Sequence, residues 1–187
     1  MKAGNDDRAR LVDRERYLRP LLAAASLTPA DLGKSTANAL HEYARFMLFI
    51  AKMPSASWNS PLIELCRATE SEVALALGDL PGFGCLAKCT LGEKAHRLKG
   101  LSADKVAVAS LVDSGLDSAI VFGVLPNDLL ALAGLRARSG AAHGGPDEKH
   151  AGEGEVARAL ALVLGGPQAL LPRLVSLRKT AARKKQL

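Results

Sequence analysis

The chain has 187 residues, 48% of them hydrophobic but only 4% aromatic, with three cysteines and a net charge of +6. That length carries one domain rather than two, and a core built from Ala, Leu and Val favours packed helices over a β-sandwich. The basic excess, with a sequence pI near 9.4, suits a polyanionic partner, nucleic acid first and an anionic membrane surface second.

In chain order, residues 5–25 mix charges with an apolar stripe that includes Leu11, Tyr17, Leu18 and Leu22, the pattern of a surface helix. Pro29 and Asp31 signal the start of a second helix. Leu32, Leu40, Tyr43, Met47 and Ile50 recur at helical spacing until Pro54 ends it. The longest apolar run lies here, around 46–51, and is far shorter than the roughly 20 residues of a membrane span. With no basic-then-apolar leader and no even, closely spaced cysteine set, the expected setting is the reducing cytoplasm, without a membrane partner.

Ser60 as N-cap and Pro61 at the first helical position open a third helix, expected to run to about Leu80. Glu64, Glu70 and Glu72 lie on it. Glu70 falls between apolar positions, a place that suits a carboxylate facing a partner, although a surface carboxylate is the simpler reading. The stretch PGFG, 81–84, is a break. Thr90 and Glu93 have the order of a capping box for a helix that Gly100 closes, and Ser102 starts another, reaching about Ser114. GLDSAIVFGVLP, 115–126, has no clear period and is compatible with a short strand, an extended connection or a buried helical turn. After Pro126 a helix with Asn127 or Asp128 near its cap leads into LRARSGAAHGG, 135–145. A polar loop follows, then helices over 156–164 and 168–183, parted by Gly165 and Gly166.

Four groups of residues carry possible chemistry. Gly33, Lys34, Ser35 and Thr36 match the end of a phosphate-binding loop, but Thr28 stands where its first glycine belongs and no strand leads in. They read as the first turns of a helix. Cys85, Cys89 and His96 have metal-ligand chemistry, with Cys66 the available fourth ligand; free thiols acting as small hydrophobes are the simpler reading, and no metal is expected. The basic tail, Arg178, Lys179, Arg183, Lys184 and Lys185, offers phosphate contacts or merely a solvated helix end.

The fourth group is Arg136, Arg138 and His143. On a regular helix of about 100° per residue, Arg136 and His143 share a face, whereas Arg138 and His143 do not. Gly140 loosens the helix and Gly144 and Gly145 end it.

LRARSGAAHGG resembles the signature of the HEPN superfamily, an arginine followed four to six residues later by a histidine late in a helix. Arg138 to His143 has the four-residue interval and Arg136 to His143 the six-residue one. LIELCRATESEVALAL and CTLGEKAHRL are similar to earlier helices of such domains. The resemblance implies an all-α, HEPN-like helical bundle in which 60–183 form the core and 1–55 an N-terminal helical extension within a single domain. It further implies a homodimer whose two subunits present Arg138 and His143 at one composite cleft, with Arg136 and Ser139 supporting them. The implied activity is cofactor-free, metal-independent endoribonuclease chemistry of a toxin, antiphage or RNA-processing type, under an antitoxin or other regulatory partner. Ser139 departs from the Asn, Asp or His usual after the arginine, so a non-catalytic module that binds RNA, a nucleotide or a protein remains the alternative.

Overall fold

A computed structural model describes residues 16–53, 57–138, 151–184 and 186, and of Arg138 the backbone only. Described residues 16–23 form α1. The further helices are α2 (Lys34–Lys52), α3 (Asn59–Leu77), α4 (Leu91–Leu101), α5 (Lys105–Asp113), α6 (Leu125–Arg138), α7 (Glu153–Leu164) and α8 (Leu170–Lys184). The fold is all-α, and no strand occurs among the described residues.

The bundle is organised around α3, which packs against α2, α4, α6, α7 and α8. Its composition explains that position. Leu62, Leu65, Cys66, Ala68, Thr69, Val73, Ala76 and Leu77 are all buried, spread too widely around the helix for a single stripe. Leu18 and Leu22 of α1, Leu40 of α2, Leu98 of α4, Leu129 and Leu132 of α6, Val163 of α7 and Leu174 of α8 complete an aliphatic core. The one stacked aromatic pair among the described residues is Phe83 with Phe122, ring centroids 6.1 Å apart.

The helix ends differ from expectation for identifiable reasons. Pro29–Asp31 is a 3-10 turn, and α2 begins at Lys34. α3 begins at Asn59 rather than after Ser60, its first N–H donating to the Ser57 hydroxyl at 3.2 Å. The Thr90 box forms as expected: the Thr90 N–H donates to Glu93 at 2.8 Å, and that bond holds the Glu93 carboxyl below its usual range. Gly100 does not stop α4, which continues to Leu101; Ser102 follows it, donating its hydroxyl to the Lys99 carbonyl. The cap of α5 is Asp104, whose carboxylate accepts from Val106 and Ala107 at 2.8 and 3.0 Å. Before α5, PGFG makes its turn because Gly82 adopts φ +86°, where a Cβ would also lie 3.1 Å from the Ala107 backbone.

The aperiodic stretch is helical. Ala119–Val124 is a π-turn that passes without a break into α6, and the Asp117 carboxylate accepts the Ala119 N–H at its start. Pro126 therefore lies inside a continuous helical segment, at the point where π geometry gives way to α, and its missing N–H removes one bond from that segment's ladder. The joined segment Ala119–Ala137 is long and apolar enough to cross a membrane by length and composition, which the run at 46–51 is not. Val121, Leu125, Leu129, Leu132 and Leu135 bury one side of it in the bundle.

Candidate functional site

Glu70 and Glu72 lie two residues apart on α3, so they project from nearly opposite sides of it. Each ties together two neighbouring elements. Glu72 is fully buried. Its carboxylate accepts the Thr36 hydroxyl at 2.7 Å and the Gly33 N–H at 3.3 Å, both at the start of α2, and pairs with Arg178 of α8 at 2.9 Å. Arg178 also donates to the Asp31 carbonyl. Glu70 is half-buried; it accepts the Leu91 N–H at the start of α4 at 3.1 Å and faces Arg136 of α6 at 3.5 Å. Helix N-termini leave backbone N–H groups without intrahelical partners; α3 offers a carboxylate to the starts of α2 and α4, and Arg178 of α8 and Arg136 of α6 face those carboxylates.

Glu70 also belongs to the wall of an open groove of about 780 Å³. Gly33, Lys34 and Ser35 line it from α2, Ser71 and Leu75 from α3, and Lys88, Cys89, Thr90 and Lys94 from the segment entering α4. Lys94 is buried, its ammonium donating to the Leu86 carbonyl, and burial pushes its pKa down.

The residues singled out from sequence fall into three sets. Arg136 is half-buried in the last described turn of α6 and held to Glu70. Arg138 is the last described residue of α6; its side chain, Ser139, His143 and Lys185 lie outside the described residues. In the basic tail, Arg178 is paired with Glu72 and Lys179 with Asp31, which leaves Arg183 and Lys184 exposed in the last turn of α8. The Lys179 contact, with the Thr28 bonds, lowers the Asp31 carboxyl from 3.8 to about 2.

The thiols do not converge. Cys66 lies in the core, where burial pushes its pKa up to about 12. Cys89 donates to the Cys85 carbonyl at 3.1 Å, and Arg97 stands beside both of these thiols. His96 is exposed. No group of three or more His, Cys, Asp or Glu suited to a metal occurs among the described residues.

No family model, curated protein or solved structure matches this chain.

The pairings of Glu70 and Glu72 were not foreseen. For Glu70 the signal was its place among apolar positions, which pointed to a partner; the partner is Arg136, 66 residues away. For Glu72 the signal was weaker, a carboxylate beside Val73 in a helix whose apolar positions cover most of its circumference.

Proposed function

We propose that the protein is a metal-independent endoribonuclease acting as a homodimer, with Arg138 and His143 as its catalytic residues. One observation supports the reading: the arginine of the HEPN-like motif is the last described residue of α6, and the same turn is fastened to α3 through Arg136 and Glu70. An arginine whose backbone belongs to a packed helix starts from a fixed point, the condition for holding a guanidinium against a reacting phosphate.

In this reading His143 removes the proton of an RNA 2′-hydroxyl. The 2′-oxygen forms a bond to the adjacent phosphorus while the P–O5′ bond breaks, and a protonated histidine returns a proton to the leaving 5′-oxygen. Arg138 stays charged and binds the equatorial phosphate oxygens as negative charge builds in the transition state. The products are a 2′,3′-cyclic phosphate and a 5′-hydroxyl. Arg136 is a positioning residue, set by Glu70, and Ser139 offers a hydroxyl beside the arginine.

Ser139 also supports a second reading, a module that binds RNA without cutting it. Incubating RNA with purified protein in EDTA separates the two. The nuclease reading expects cleavage that His143→Ala abolishes and Arg138→Ala reduces by about 100-fold or more. Cleavage that survives in His143→Ala overturns the assignment, and intact RNA bound to wild type supports the second reading.

A further inference from the structure

Of the chain's four phenylalanines, Phe83 and Phe122 stack on each other inside the bundle. The other two, Phe46 and Phe49, lie on the outer side of α2, where Phe49 is 51% exposed and Leu48 and Met53 are exposed beside it. Single apolar side chains on a surface need no explanation, but a cluster of them at one end of a helix marks a contact with another surface.

The cluster has an ordered set of charges. At about 100° per residue, Glu42, Arg45, Phe49 and Lys52 fall within about 80° of one another and form one stripe along α2. The acid stands at one end of the stripe and Lys52 at the other. Glu42 accepts from Arg45 at 3.0 and 3.3 Å, which leaves acceptor capacity on its carboxylate. Lys52 has no partner among the described residues. Tyr17 of α1, its ring 6.2 Å from that of His41, joins the stripe in lining a hollow of about 870 Å³. A second hollow shares Tyr17 and Leu48 and extends the surface over Pro20, so the face is two helices wide.

The order of the charges selects what fits. A polyanion or an anionic membrane surface would meet Glu42 unfavourably. A surface carrying both signs in the reverse order matches both ends, and an antiparallel copy of the stripe is such a surface. With a two-fold axis crossing α2 at the level of residue 47, one register sets Glu42 opposite Lys52 of the second copy and Arg45 opposite Phe49. Symmetry makes each contact twice. Opposite charges then meet at both ends, a guanidinium lies against an aromatic ring on each side of the axis, and the two copies of Leu48 meet beside it.

We propose that this face of α1 and α2 is a contact between two copies of the chain. The assignment stands on the stripe and uses neither Arg138 nor His143, so it is independent of the ribonuclease reading.

Sedimentation equilibrium on the full-length protein, over a series of concentrations, is expected to show dimers of the 19.6 kDa chain. Phe49→Glu should weaken association by about 100-fold, as loss of an aromatic anchor does. Lys52→Glu and Glu42→Lys should each weaken it by about tenfold, because each sets like charges opposite one another. Mixing these two single variants separates this contact from any other. One chain then carries two acids and the other two lysines, so a heterodimer regains both ion pairs and associates about as tightly as wild type, which also shows that both variants are folded. A chain that stays monomeric, a dimer indifferent to Phe49→Glu, or single variants that fail to pair on mixing overturns the contact. Phe49-dependent binding of a monomer to vesicles of anionic lipid gives the face to a membrane and overturns it as well. RNA cleavage by a Phe49→Glu variant that remains dimeric overturns this contact and leaves the ribonuclease reading standing; a Phe49-dependent dimer that leaves RNA intact does the reverse.

Discussion

Glu72 places a carboxylate in the interior of the bundle, fully buried, and its charge is tolerated because Arg178, Thr36 and Gly33 all donate to it. Removing one partner of such a pair leaves the other uncompensated. Arg178→Ala should therefore destabilise the protein by about 3–5 kcal/mol in urea unfolding, while Arg183→Ala/Lys184→Ala, in the exposed last turn, should change stability by less than about 0.5 kcal/mol. Equal effects from the two variants would contradict the pairing. Asp31 gives a second residue-scale prediction. Its folded pKa lies below its ordinary value, so its contribution to stability is full above about pH 4 and is lost as pH falls toward about 2. Lys179→Ala should move the Asp31 carboxyl titration upward toward 3.8, seen by NMR. An unmoved titration would show that the Thr28 bonds alone hold it. These pairs were illegible in the sequence because their partners are 106 and 148 residues apart, and neither residue type nor periodicity encodes a contact at that separation.

At the scale of elements, periodicity identified the helices and local chemistry decided their ends. α2, α3, α4, α7 and α8 lie where apolar spacing puts them, and the Thr90–Glu93 box forms as its residue order requires. The misses concern competing caps: Asp104 took the role expected of Ser102, because a carboxylate two residues nearer the apolar run reaches both Val106 and Ala107. Asp104→Ala should cost about 1 kcal/mol, against a few tenths for Ser102→Ala, by thermal or urea unfolding. A reversed order would return the cap to Ser102. The stretch 115–126 concealed its helix because β-branched residues and Pro126 are poor helix signals, and a π-turn has its own periodicity. Burial of Val121 and the stacking of Phe122 on Phe83 outweigh that local preference.

At the scale of the molecule, composition alone carried the fold class: few aromatics and many Ala, Leu and Val produce an all-α bundle with an aliphatic core. The groove was not legible, because Lys34, Lys88 and Lys94 lie far apart in the sequence and line one groove only through the packing of α2 and α4 on α3. A composite site made by two chains adds a further expectation. Cleavage per mole of protein should fall on dilution as the 19.6 kDa chains separate, whereas a site complete within one chain would keep its specific activity. The most direct measurement of the central claim is the chemistry of the ends left on RNA cut in EDTA. Attack by the 2′-hydroxyl at a site built from Arg138 and His143 predicts 2′,3′-cyclic phosphate and 5′-hydroxyl ends that vanish in His143→Ala; 3′-hydroxyl and 5′-phosphate ends, or the same ends from that variant, would contradict it.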